Sequence, residues 1–486
     1  MTPQSLFLGL RQLAARRPAS LLMLIVALPL ANALAYAWVS ANRVITRDQW
    51  FFLPMLQDFF AGHFHPISLW LTHSQHRTPA YKLLFLLDAL SLRLDLRSEI
   101  MLGTIALGLT VLLLMRRFRD SLPDTLPPLQ VSLGLACIAL MGLSLNQWAN
   151  LVYALEALSG YTRIAFFVSF WIALDVRLKR GASPGETAAL AALLAFILLG
   201  WAAAHGPAYL VATFLCSAAA LRLDEGDSRR GFKLLGWLAV SAAASEAVYW
   251  LAGPLAPLQG SAGGLMHAVL RTPWRVVEYG LMALCSSAMP IEGMQNHGFP
   301  HALSLLMGAL IGAVYLAAGI CFVRARLWRA STLPAFLMSY SLLTIASVFL
   351  ARFMKEGLEN ASAPRYVMDT QLGIIGCFWT LFLWRARRMP TISLMDKVTA
   401  VPTLFSAILL LEVVIAGMIW RHNAYQRQLF EQAVEQVRSE DFGAPGWVCP
   451  DAALCRSGTE FLKQERLNIF NSDAADDGQD KTKLVP

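Results

Sequence analysis

Asp48 stands in "RDQWFFLPMLQDFF", directly after the first long apolar run of the chain. A carboxylate placed there can accept a proton or anchor a polar substrate. It can equally pair with Arg47 or cap a local helix, and residue type leaves both readings open. Downstream, "HSQHRTPAYKLLFLLDA" sets His73, His76, Arg77, Lys82 and Asp88 around an apolar pentad. The two histidines would share a helix face, as a metal pair requires. Pro79 argues for a turn instead, because the residue before proline avoids the α region. With no third ligand beside them, they read as polar interface histidines and no metal is expected.

Thr78 reads as an N-cap with Pro79 at N1, so Arg77 and Lys82 flank a helix start. Such a place suits phosphate; snorkelling to lipid headgroups is the alternative. Asp88 follows Tyr81 by one heptad and shares its helix face. A carboxylate on an apolar helix needs a partner, water or a raised pKa; pairing with an arginine such as Arg93 or Arg163, and a direct role, are equally open. Arg352 and Arg365 lie in "ARFMKEGLENASAPRY", and Arg271, Arg275 and Glu278 in "RTPWRVVEY". Glu156, Arg163 and His205 fall near other ends of apolar runs on the same side, where they could line one cavity with Asp48.

These residues need a scaffold, and composition defines it. The chain has 486 residues, of which 56% are hydrophobic and 15% charged, with a mean hydropathy of +0.51. Soluble domains carry about 25% charged residues. Apolar runs of membrane-spanning length recur, so the expected class is an all-α polytopic membrane protein. About eleven spans are expected, at roughly 19–39, 98–115, 129–145, 162–176, 186–203, 207–221, 234–251, 301–323, 333–350, 367–384 and 400–419. The first has no convincing cleavage site and reads as a signal anchor.

Arginine and lysine set the expected orientation. With the N-terminus cytoplasmic, every short inside segment receives a basic cluster, including "RRFR" at 116–119, "RLKR" at 177–180, "RARLWR" at 324–329 and "RARR" at 385–388. The net charge of +8 is therefore a topology signal rather than a nucleic-acid footprint. Residues 1–420 form the expected transmembrane domain, with long outside segments at 40–97 and 252–300. Each holds an apolar stretch too short to cross, 79–92 and 276–290, read as juxtamembrane or re-entrant helices. Residues 421–486 form a polar outside tail. It opens with an amphipathic helix carrying Tyr425, Leu429, Phe430, Val434 and Val437 and is expected to be disordered from about residue 472. Cys449 and Cys455 lie in this tail and can form a disulfide in an oxidising compartment. The other five cysteines sit in or beside apolar runs, as small hydrophobes do.

Together these residues resemble the GT-C superfamily of integral-membrane glycosyltransferases, which use polyprenyl-phosphate sugars. The shared features are an acidic residue soon after span 1, a long first outside segment with juxtamembrane helices, and about eleven spans. More narrowly, "HSQHRTPAYKLLFLLDA" resembles the "H-x-E-H-R" stretch of bacterial GT-C-like proteins, some of them likened to O-antigen glucosyltransferases. "ARFMKEGLENASAPRYVMDTQLGIIGCFW" resembles their later "G-R … S-R-Y" loop. Gln75 stands where that pattern has Glu, and Gln cannot act as a base; Pro364 stands where it has Ser.

The resemblance implies a sugar transferred from a polyprenyl-phosphate donor to a cell-envelope glycan or lipid-linked acceptor at the periplasmic face of the bacterial inner membrane. Asp48 would be the base. Arg77, Lys82, Arg352 and Arg365 would hold lipid phosphate. His76, Asp88, Glu156, Arg163 and Tyr366 would contact substrate. No cofactor, metal or nucleic acid is called for, and membrane lipids surround the chain. A transporter or flippase for an envelope precursor, and a non-enzymatic assembly protein, are the competing classes. Transporters, however, set ionisable groups near the bilayer midplane, and here the charge gathers on one face.

Overall fold

The computed structural model describes residues 18–72, 76–224, 228–251, 269–388, 394–443 and 446–471. Among them the chain is helical and has no strand, as bilayer hydrocarbon requires: a helix satisfies its own backbone groups. The helices used below are α1 (Pro18–Ser40), α2 (Leu53–Phe60), α3 (Pro79–Ser91), α4 (Leu96–Ser121), α5 (Pro128–Gly142) and α6 (Tyr161–Arg180). They continue with α7 (Pro184–Ile197), α8 (Gly206–Leu223), α9 (Arg229–Leu251), α10 (Pro273–Ser286) and α11 (His301–Arg324). The last are α12 (Leu333–Glu356), α13 (Val367–Arg388), α14 (Leu394–Ser439) and α15 (Ala452–Gln464). Among the described residues, eight helical stretches are long and apolar enough to cross a bilayer, and nine if α5 and the bent segment after it, 44° apart, form one span. The protein is thus an all-α polytopic membrane protein.

One of the eight, Pro184–Leu223, is not a straight rod. Along α9, Gly231 packs on Leu221, the Ser241 hydroxyl donates to the Ala191 carbonyl at 2.8 Å, and Glu246 meets Gly206. In a straight helix Ala191 would lie about 22 Å beyond Gly206. It lies instead beside Ser241, between the positions opposite Gly206 and Leu221. The chain must reverse between α7 and α8. It does so where a π-helical turn, Leu198–Ala202, meets Ala203 at φ +43°.

Ends of helices follow local chemistry. Ser183 and Glu186 make a reciprocal capping box before α7, with Pro184 at N1. Gly181, at φ +80°, ends α6 after Arg177, Lys179 and Arg180, whose charges suit a helix C-terminus. The basic clusters also brace that end of the bundle. Fully buried Asp175 accepts from Arg117 Nε at 3.1 Å, Ser331 Oγ at 2.9 Å and the Thr332 amide at 2.8 Å, with Lys179 Nζ 3.0 Å away.

At the opposite end of α6, the two short apolar stretches form α3 and α10, each too short to cross. The expected Thr78 cap does not form: its hydroxyl is buried without a partner among the described residues. The expected separate tail helix is also corrected. α14 runs unbroken for 46 residues, about 69 Å, twice the bilayer core. Its buried stripe is Asn423, Gln426, Phe430, Ala433 and Val437, a near-heptad that starts with polar residues, while Tyr425 faces out. Ser40 Oγ donates to Asn423 Oδ1 and Tyr36 OH to Gln426 Oε1, each at 2.6 Å, so the stripe is set by hydrogen bonds to α1 that an apolar pattern cannot show.

The tail then folds back over the segment that follows α1. Trp50 Nε1 donates to the Val448 carbonyl at 2.8 Å, Gly458 lies against Trp50 and Leu53, and Phe461 meets Phe60 edge-on at 5.6 Å. Asn468 Nδ2 donates to the carbonyls of Arg43 and Leu94 at 3.0 and 2.9 Å. Cys449 and Cys455 are joined by a disulfide, their Cα atoms 6.1 Å apart. Residues 472–486, expected to be disordered, lie outside the described residues.

Candidate functional site

Asp48 lies in the first turn of a 3-10 helix, Arg47–Phe52, and is exposed. Arg47 before it takes φ +53°, a left-handed conformation that an L residue keeps only when its surroundings hold it. Its guanidinium covers the Tyr153 ring at 4.3 Å and approaches Glu156 Oε1 at 3.7 Å. Glu156 sits on a second π-helical turn, Leu155–Gly160, which leads into α6. π-Helical turns are frequent at functional sites. Gly103 of α4 lets this turn seat directly: a Cβ there would come within 2.4 Å of the Ala157 carbonyl. Asp48 and Arg365 both lie within electrostatic reach of Glu156. Arg365 Nη2 donates to Asn360 Oδ1 at 3.2 Å, its carbonyl accepts from Asn150 Nδ2 at 3.3 Å, and its guanidinium lies 5.0 Å from the Tyr366 ring. Four ionisable groups from three distant segments thus meet at one surface.

A second layer lies one to two helical turns deeper. Arg163 follows Glu156 by two turns, and Asp369 follows Arg365 by one. Arg163 Nη2 reaches both Asp369 oxygens at 2.9 Å, and Tyr340 OH donates to Asp369 Oδ1 at 2.5 Å. His205 Nδ1 is 3.7 Å from the same oxygen and within electrostatic reach of His76. Arg163 is 6% exposed and Asp369 1%. Stacked aromatic rings hold Tyr340 there, Phe167 on Tyr209 at 3.9 Å and Trp171 on Phe336 at 5.8 Å.

Other expected site residues are placed differently. Arg77 is buried; its Nε donates to the Tyr249 carbonyl at 3.0 Å and Nη1 to the Trp70 carbonyl at 3.0 Å. Lys82 Nζ donates to the carbonyls of Ser68 and Leu71 at 3.1 and 2.7 Å. Burial, with the Arg77 charge beside it, draws this amine down to about 8. Both cations therefore tie down the loop before α3. Arg352 is half-buried at the end of α12. Asp88 pairs with neither Arg93 nor Arg163: the latter is taken by Asp369, and Asp88 faces Glu99 of α4 instead. Burial pushes Asp88 up to about 7. His73 and Gln75 lie outside the described residues.

Tyr340, Asp369 and Glu99 were not singled out by the sequence, and Arg47 entered only as the cation that could pair with Asp48. Asp369 carried a signal: four residues after Arg365, it shares that arginine's helix face. A cavity of about 300 Å³ lies between α1, α5 and α14, with Glu412, Asn32 and Ser144 on an otherwise apolar wall. No arginine or lysine lines it.

The outer cluster pairs carboxylates that can accept a proton with arginines that can stabilise a developing anion. No protein-family model matches the chain, and no curated protein sequence matches it.

Proposed function

We propose that this protein is a GT-C-like glycosyltransferase, moving a sugar from a polyprenyl-phosphate donor to a cell-envelope glycan or lipid-linked acceptor. The observation that carries the reading is the meeting of Arg47, Asp48, Glu156 and Arg365 at one face. Asp48 accepts the acceptor hydroxyl proton as the oxygen attacks the anomeric carbon. The bond from that carbon to the phosphate oxygen breaks, and the phosphate leaves with its charge on Arg365, helped by Arg352. Arg47 and Glu156 orient this pair. Arg77 and Lys82 are left out of the phosphate site, since their donors hold backbone carbonyls.

The proposed topology has eleven crossings: the eight apolar stretches, one more from the reversal at Ala203, the bent α5 span, and α1. With the basic clusters inside, the N-terminus is cytoplasmic, and the site and the C-terminus are periplasmic in a bacterial inner membrane. The disulfide agrees with an oxidising side.

The test supplies labelled polyprenyl-phosphate sugar to membranes bearing the wild-type chain or Asp48→Asn. Transfer is expected to fall about 10²- to 10⁴-fold in the variant. Undiminished transfer would remove Asp48 from the role. Solute accumulation in proteoliposomes with no transfer by the wild type would favour a transporter.

A further inference from the structure

Tyr81 and Asp88 share the face of α3 that meets α4. The Tyr81 hydroxyl accepts from Gln49 Nε2 at 3.1 Å and donates to Glu99 Oε2 at 2.9 Å. Gln49 is the residue after Asp48, in the same 3-10 helix. At the end of that helix Phe52 packs on Tyr81 at 5.5 Å and on Phe85 at 5.6 Å. One phenol therefore links the Asp48 helix to the membrane helix α4.

Beyond the phenol lies a pair of carboxyl groups. Asp88 and Glu99 are within hydrogen-bonding reach of one another, and they are 5% and 2% exposed. Neither Asp88 oxygen, nor Glu99 Oε1, has a donor among the described residues. No lysine, arginine or histidine described pairs with either. The other charge facing them from α4 is Asp95, and Glu156 faces Tyr81 from its π-helical turn. The turn Leu198–Ala202, which also touches α3, carries no ionisable residue. Two adjacent carboxylates in such surroundings cannot both ionise. A proton between them supplies the donor that their oxygens otherwise lack.

We infer that Asp88 and Glu99 share one proton and act as positioning residues for Asp48, fastening α3 to α4 and, through Tyr81 and Gln49, holding the helix Arg47–Phe52 in place. When that proton leaves, two neighbouring carboxylates repel, α3 lifts from α4, and Tyr81 travels with it. The link to catalysis rests on Asp48 being the reacting carboxylate; the fastening does not. Burial raises Asp88 to about 7, so the pair comes down to its one shared proton near neutral pH, and that last proton, held between two carboxyl groups, leaves only at higher pH.

The full chain in lipid nanodiscs would be followed by hydrogen exchange from pH 6 to 9, with rates corrected for intrinsic exchange. Amides of residues 49–56 in the wild type are expected to lose protection by up to tenfold per pH unit from about pH 7 upward, for as long as the closed state keeps the shared proton that the open state has given up. Asp88→Asn, a neutral group that still hydrogen-bonds Glu99, should keep protection flat across the range. Tyr81→Phe should lower protection in that segment at every pH while α6 stays protected, which reports that the variant is folded. Constant wild-type protection, or the same decline in Asp88→Asn, would overturn the inference. The pH profile of sugar transfer is the second arm. Wild-type activity declining above neutrality and flattened by Asp88→Asn supports the link. No transfer at any pH by the wild type defeats the functional reading while leaving the exchange result to judge the fastening.

Discussion

Arg163 and Asp369 meet at a depth where water cannot replace either partner. Breaking such a pair costs about 3–5 kcal/mol, because an uncompensated charge stays buried, whereas replacing both groups by apolar ones costs far less. Arg163→Met and Asp369→Leu are each expected to lower thermal stability sharply, and the double variant to recover most of it. Melting curves of the three in one detergent check this. Asp88 makes an opposite kind of statement. Its folded pKa of about 7 lies above the unfolded value near 4, so the folded state binds the extra proton. The stability it supports is complete below about pH 4 and declines as pH rises through about 7, and the melting temperature should follow. Asp88→Asn should flatten that slope; an unchanged slope would place the titration elsewhere. Residue types alone pointed to Asp48, Glu156, Arg163 and Arg365, since charge near apolar runs is costly and conspicuous. They could not tell which cations are tied to backbone carbonyls. Arg77 and Lys82 spend donors on the carbonyls of Ser68, Trp70, Leu71 and Tyr249, a meeting of segments that no local pattern encodes.

Among the elements, the turn that carries Glu156 depends on what α4 omits. Gly103 leaves room for the Ala157 carbonyl, and a methyl group there would collide with backbone that has no rotamer to yield. Gly103→Ala should cost about 1–3 kcal/mol despite the better helix propensity of alanine, and should displace Glu156 from Arg47. A lowered melting temperature, with faster exchange at residues 155–160, checks it. Helix positions were legible because long apolar runs bounded by basic clusters have few other solutions. The reversal between α7 and α8 was legible too, as a polar break at His205. The continuous α14 was not. Its outer half docks through Asn423 and Gln426, and hydrogen bonds between polar residues leave no periodic trace.

On the scale of the whole molecule, charge is sorted by end. Asp175 and its cations brace one end of α6, and Arg163 with Asp369 marks the other, twelve residues or about 18 Å away. The tail completes the outer end by covering the Asp48 helix. Its disulfide closes a short loop, for which chain entropy gives roughly 2 kcal/mol. Cys449→Ser with Cys455→Ser should therefore loosen residues 446–471 and, through Trp50, the helix beside it. Limited proteolysis of membranes bearing the chain, with and without reductant, would show this as faster cleavage near residue 446.

The tail has one more consequence, for the order in which the protein is made. Trp50 waits for a carbonyl 398 residues further along the chain. At ribosomal rates of about 5–20 residues per second, that partner emerges roughly 20–80 s later. Through this interval the segment that follows α1 stands with an uncovered tryptophan and an uncovered Leu53. The surface bearing Asp48 is thus among the last parts to be finished, although its own residues are among the first to arrive. A nascent chain stopped before residue 446 should hold every crossing yet remain open to protease around Trp50, and adding the last segment should close it.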